Sequence, residues 1–320
     1  METRKIIAFG SSSHVISIPK SWIKENNLKK GDKIFVQDNK DQLLLLPTDI
    51  TQTAEPRKRV IEAEGKTMEL IRAQIVSAYL HGYNSITIKG DNLQERAQEI
   101  KVVIRNLTGL EIIQQDAKRI TSKDLLNLRE ISIPITIRRM DNIVRSMIID
   151  SLDTEHVDYD SIIERDTDLN RLAYLCFRVM REAIKDPSLA RYLTLSSIDI
   201  LFHWDIVAHL EKIGDQAKRV ARHMKKLQLT KKDKKRFDEL YQIVYRDYLD
   251  VMKAFYKRDN AVAYTIDIEN GDRIKQAREF IRELQTDSEV VRAVEHLKSM
   301  RSEMKAIAHA VLGLEEEVFM

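Results

Sequence analysis

The chain has 320 residues, 43% of them hydrophobic, enough to bury a sizeable core and to divide into two or three domains. Charged residues make up 32% and aromatic residues only 6%, a mixture suited to long amphipathic helices rather than an all-β fold. A net charge of +3 excludes a bulk polycation, so any nucleic-acid surface must be local.

The first elements are short. Residues 4 to 9 are β-prone, Gly10-Ser11-Ser12-Ser13 is a turn, and Val15-Ile16-Ser17-Ile18 is a second strand closed by Pro19. Ser21 is the expected N-cap of a short helix from Trp22 to Asn27. Leu28-Lys29-Lys30-Gly31-Asp32 turns the chain into Lys33-Ile34-Phe35-Val36, and Asp38-Asn39-Lys40-Asp41 reads as a hairpin turn before a strand at 42–46. Residues 48–56, with Thr, Gln and Pro, form an expected linker. Over 57–126 the pattern alternates as strand 59–63, helix 66–80, strand 85–89, helix 93–107 and strand 110–115, a small α/β module with no phosphate loop. It is open as a spacer, a second dimer interface or a small-ligand sensor.

After Pro134 the sequence turns helical, in segments near 136–152, 157–185, 195–227, 232–258, 260–284 and 287–313. Breaks at Asp186-Pro187, Leu229-Thr230-Lys231 and Thr286-Asp287-Ser288 carry turn or N-cap chemistry, so a repeated three-helix unit, 134–229 and 230–315, is the economical reading. The overall expectation is a mainly α chain with an α+β N-terminal part. The single cysteine, Cys176, lies in an apolar run and reads as a packing residue. No stretch resembles a signal peptide or a membrane span, so a cytoplasmic protein without membrane insertion is expected.

Gly10, the unit Ile16-Ser17-Ile18-Pro19 and the run Leu28-Lys29-Lys30-Gly31-Asp32-Lys33 together resemble the AbrB/SpoVT/MazE family of swapped-hairpin DNA-binding domains. The resemblance covers residues 3 to 47 and implies half of a β-barrel, completed when two chains interlace hairpins as a homodimer, with Trp22 and Ile23 in the shared core. It further implies that the first strand and the following loop face DNA. Arg4, Lys5, Ser11, Ser12, Ser13 and His14 are therefore the candidate DNA contacts, with Lys20 and Lys24 at the edge. Lysines would meet phosphates, whereas the serines and His14 can also donate to bases. The Gly-Ser-Ser-Ser turn departs from the family's shorter Gly-basic turn, leaving sequence preference open. Residues 1–47 carry eight basic and five acidic residues.

In the third helix of the first unit, His209-Leu210-Glu211-Lys212-Ile213-Gly214-Asp215-Gln216-Ala217 resembles the signature of PhoU, the phosphate-transport regulator family, and Ile163-Glu164-Arg165-Asp166-Thr167-Asp168-Leu169-Asn170 resembles its acidic segment. Glu211 and Asp215 stand four apart on one helical face, where like charges repel by about 0.2–0.5 kcal/mol and call for a compensating cation. The resemblance implies metal: Glu211, Asp215, Asp166 and Asn170, with His209 nearby, are the candidate ligands of a divalent or ferric ion. Lys212, Lys218 and Arg219 are the competing counter-charges. Gly214 would permit close helix approach. In the second unit the aligned run places Lys298 and Ser302 where the carboxylates would sit, so one site at most is complete.

His203 reads as a packed or exposed residue, and His296 and His309 lack any ligand pattern around them. No nucleophile–base pattern is present, so an enzyme is not expected. The combined resemblances imply a DNA-binding dimer that controls phosphate-transport genes, its helical part sensing metal or a partner. The alternative is an adaptor on a phosphate-transporter ATPase or sensor kinase, with the barrel used only for dimerisation.

Overall fold

The computed structural model describes residues 3–38, 43–47, 56–91, 93–152, 158–226, 229–283 and 288–314. Residues 48–55 of the expected linker 48–56, and residues 39–41 of the expected hairpin turn, lie outside the described residues. The chain divides into two compact units, 1–56 and 57–320.

The first unit holds two hairpins and a helical turn. Strands β1 (Ile7–Phe9) and β2 (Ser13–Val15) pair antiparallel, Phe9 opposite Ser13. Gly10, at φ +73°, turns the chain in the left-handed region that glycine tolerates, and the Ser13 hydroxyl donates to the Phe9 carbonyl at 2.6 Å. The second strand therefore begins within the serine run and ends at Val15, earlier than the expected 15–18. Helix α1 (Lys20–Glu25) starts directly after Pro19, whose carbonyl accepts from Ile23 N–H at 3.2 Å; Ser21 lies inside the helix and does not cap it. Strands β3 (Phe35–Asp38) and β4 (Leu43–Leu46) form the second hairpin.

The second unit opens with a four-stranded sheet. β5 (Lys58–Glu62), α2 (Met68–Leu80), β6 (Ser85–Lys89), α3 (Leu93–Arg105), β7 (Leu110–Gln115) and β8 (Arg119–Asp124) follow in chain order, and the sheet order is β5-β6-β8-β7. β5 runs parallel to β6, and the other pairs are antiparallel. Burial alternates along β6 and β8, so α2 and α3 cover one face over Ile61, Ile75, Tyr79, Ile86, Ile88, Ile104 and Ile120. β8 is not among the expected elements, because Ile120 is its only large apolar residue. Its other buried position is Ser122, whose hydroxyl donates to the Ile86 carbonyl at 3.2 Å.

A 3-10 turn (Leu128–Glu130) leads into helices α4 (Ile133–Leu152), α5 (Tyr159–Lys185), α6 (Pro187–Tyr192), α7 (Ser197–Met224), α8 (Lys231–Lys257), α9 (Asn260–Glu283) and α10 (Ser288–Leu312). The caps follow local chemistry: Ser196 and Asp199 form a capping box on α7, and Thr230 accepts from Asp233 N–H on α8. The expected break at Asp186-Pro187 contains the extra helix α6, with Asp186 as N-cap and proline at its first position. Helices α4, α5 and α7 form one three-helix set and α8, α9 and α10 the other. One continuous apolar core runs through both, from Met140 and Leu210 to Tyr241 and Leu297. Among the described residues no helix is long and apolar enough to cross a membrane.

Buried polar contacts tie the pieces together. Asp141 of α4 accepts two hydrogen bonds from Arg145 and one each from the hydroxyls of Tyr248 (2.8 Å) and Tyr256 (2.9 Å) of α8 and its end. Arg178 of α5 pairs with Asp124 at the end of β8, both nearly inaccessible, and its guanidinium lies 4.6 Å from the centre of the Tyr79 ring. Removing one partner strands a buried charge, so Asp124→Ala is expected to cost about 3–5 kcal/mol, read as a shift of the urea midpoint. An apolar replacement of both residues is expected to recover most of that cost.

Candidate functional site

The eight candidate DNA-contact residues, Arg4, Lys5, Ser11, Ser12, Ser13, His14, Lys20 and Lys24, are all exposed. The first hairpin positions the serines and His14: Gly10 reverses the chain and His14 pairs with Ala8 across the ladder. Beside them stand apolar side chains with no protein cover. Ile6 is 73% exposed, Phe9 68%, Val36 61% and Leu43 66%, and no side chain described between residues 3 and 47 is buried. A hairpin pair of this kind has no core of its own.

The carboxylates meet between α5 and α7. Gly214 makes room for this approach: a Cβ there would lie 2.2 Å from Leu169 Cδ2 and would force that buried side chain of α5 to shift. Asp166 is thereby brought to the face that carries Glu211 and Asp215. Lys218 stands between the aspartates, 2.8 Å from Asp166 and 2.9 Å from Asp215, and Arg219 pairs with the other Asp215 oxygen at 2.7 Å. Asn170 donates to Asp166 at 3.4 Å. His209 turns the other way, its Nδ1 2.6 Å from Glu303 of α10.

Electrostatics follow this arrangement. Burial pushes the Glu211 carboxyl above its ordinary value, and Asp215 and Asp166 add to the effect. Burial opposes the Lys218 charge, but its hydrogen bonds to Asp166 and Asp215 win and hold the ammonium above its ordinary value. The counter-charge that the like-charged pair requires is thus supplied by a lysine within the same helix. Among the described residues no group of three or more His, Cys, Asp or Glu side chains is arranged to hold a metal. With Lys218 in place the cluster does not fit an ion.

Several polar residues of the second unit carry no motif that sequence reasoning could seize on. Asp141 falls in the apolar stripe Ile137, Met140, Val144 and Ile148, and a charge at a core spacing is the one available signal. His223 and His296 stack with ring centres 5.3 Å apart; His223 Nδ1 lies 2.7 Å from Glu289 and His296 Nδ1 2.8 Å from Gln216. His296, isolated in sequence, therefore has partners on α7, and His309 meets Asp267 of α9 at 2.8 Å. His203 is mostly packed, and burial lowers its pKa.

The cluster sets both a pH dependence and a stability cost. Glu211 carries a raised pKa in the fold, so its contribution to stability is complete below the ordinary carboxylate value of about 4.3 and disappears as pH rises through the raised value. Glu211→Gln is expected to melt higher than the native protein at pH 7, the gain vanishing near pH 4. Lys218→Met leaves Asp166 and Asp215 without their shared donor and is expected to cost about 1.5–3 kcal/mol by chemical denaturation.

Comparison with known proteins agrees with this division of the chain. Residues 7–58 match the family model described as "Antidote-toxin recognition MazE, bacterial antitoxin". Residues 137–224, which run from α4 to the end of α7, match the PhoU domain model. The crystal structure of PhoU from Pseudomonas aeruginosa is similar at 19% identity and a TM-score of 0.49, covering 56% of this chain and 93% of that chain. No curated protein matches. The N-terminal hairpins are thus MazE-like, and the first three-helix set, which carries Asp166, Asn170, Glu211 and Asp215, is PhoU-like.

Proposed function

We propose that the protein is a phosphate-responsive regulator that binds DNA as a homodimer through its first unit and controls phosphate-transport genes. The observation that carries this reading is the uncovered apolar surface of the two hairpins, Ile6, Phe9, Val36 and Leu43, next to the exposed basic and hydroxyl side chains from Arg4 to Lys24. A second copy of the same segment supplies the missing cover, and doubling brings two sets of phosphate contacts to one duplex. The joining of a MazE-like segment to a PhoU-like one supports the assignment to phosphate homeostasis.

In this reading the helical sets are the sensing part. A partner protein, such as a phosphate-transporter ATPase or sensor kinase, is the favoured input. Direct metal sensing requires Lys218 to leave the aspartates, and native mass spectrometry with elemental analysis tests it. Equal metal content in native and Asp215→Ala protein removes it.

Phe9→Asp separates a dimer from a monomer. On an isolated exposed strand this change is worth no more than about 0.5 kcal/mol. In a shared core it buries a charge, so light scattering is expected to report twice the chain mass for the native protein and the single mass for the variant. DNA affinity, followed by anisotropy, should fall with it. A native protein that is monomeric and shows no affinity for DNA at low salt overturns the reading. Dimerisation and co-purification with a transporter ATPase, without promoter enrichment in chromatin immunoprecipitation, would replace it by the adaptor.

A further inference from the structure

The small net charge conceals an uneven distribution. Residues 225–236 contain seven basic residues and the single acid Asp233, so this one segment is +6 and the rest of the chain is net negative. Its described residues lie at the end of α7 and the start of α8 in the second unit. Lys225, Lys226, Lys231, Lys232 and Lys235 are exposed there.

Local carboxylates do little to neutralise this segment. Asp233 is engaged in the α8 cap with Thr230, Glu283 of α9 offsets Arg236 alone, and Glu289 of α10 is shared among His223, Arg292 and the more distant charge of Lys226, so the carboxylates fall on the flanks and not on Lys231 or Lys232. Glu239 reaches Lys235 only at 4.0 Å, and neither Lys231 nor Lys232 has an ion pair among the described residues. The placement is also unfavourable to the fold, because the first turns of a helix carry the positive end of its dipole and cations there are destabilising. Of the five cations in the first six residues of α8, Arg236 is held by Glu283 and the Phe280 ring, whereas the exposed Lys231, Lys232 and Lys235 point to a use other than stability.

The chemistry of the patch narrows the partner. Among the described residues Leu229 and the adjoining Phe237 pack into the core, so the described part of the patch presents charge and no apolar side chain. Lysines spaced along an exposed helix suit a regular array of phosphates, which they bind as point charges without reading bases. We propose that the α7–α8 segment is a second DNA-contacting surface, holding backbone phosphates through Lys231, Lys232 and Lys235. This rests on the reading that the protein works on DNA, but it concerns residues remote in sequence from the hairpins.

The test uses the full chain and an arbitrary-sequence duplex, with anisotropy followed over about 50–200 mM salt. The combined variant Lys231→Gln, Lys232→Gln, Lys235→Gln is expected to bind at least tenfold more weakly at the low-salt end. Its log affinity against log salt should flatten by about 0.9 for each phosphate that the variant no longer neutralises. Its melting temperature should stay level or rise, since repulsion at the helix start is relieved, whereas a structural role for these lysines would lower it. The companion variant Arg4→Gln, Lys5→Gln keeps the two ideas apart. Residual binding in it that the lysine changes abolish supports the second surface even where the hairpin reading fails. An unchanged salt slope in the triple-lysine variant, with native protein bound to DNA, overturns the second surface and leaves the hairpins intact. Absence of DNA binding, or lysine-dependent binding to phosphatidylserine vesicles instead of duplex, overturns it as well.

Discussion

The helical part of the molecule is organised by one contact, the antiparallel packing of α7 against α10. Polar pairs cross this seam at His209 and Glu303, Gln216 and His296, and His223 and Glu289, each seven residues further along α7 and seven residues back along α10. Seven residues are close to two helical turns, so the pairs fall on one stripe and the apolar rows beside them, Leu210 and Leu297 among them, stay in register. Each three-helix set gives its third helix to the seam. Neither set closes a core by itself, which is why a single core runs through both.

The two sets keep one ion pair and differ at another position. Lys218 pairs with Asp166 in the first, and Lys305 pairs with Asp267 in the second, in each case joining the third helix to the second. Where the first set has Gly214 and admits Leu169, the aligned position of the second is Arg301, buried against Asp247 of α8. Burial of that guanidinium lowers its pKa to about 10. One repeat uses the position to bring two helices together, and the other uses it to hold a charge pair in the core.

Much of this architecture is legible in the sequence, and the parts that are not have physical reasons. Long helices with apolar stripes and capped ends are readable because period and caps are local properties. β8 is not, since a strand whose inward residues are Ile120 and Ser122 has almost no alternation of hydrophobicity. The four residues Glu211, Asp215, Asp166 and Asn170 stand out by motif and do converge, but the side chain that decides their chemistry is Lys218. Its choice between solvent and two aspartates depends on how closely α5 approaches. Asp141 has a local partner in Arg145, but Tyr248, which meets it from α8, and Asp124, which holds Arg178, lie 107 and 54 residues away, beyond the reach of any local pattern.

Helix α5 belongs to two assemblies at once. Near its start Asp166 is held by Lys218, and twelve residues later, about 18 Å along the axis, Arg178 is clamped to Asp124 under the ring of Tyr79. The α/β module is therefore carried on α5 like a handle on a rod. The module and the carboxylate cluster thus share one continuous helix, so the distance between Asp166 and Arg178 along α5 is fixed by the helical rise and not by any linker.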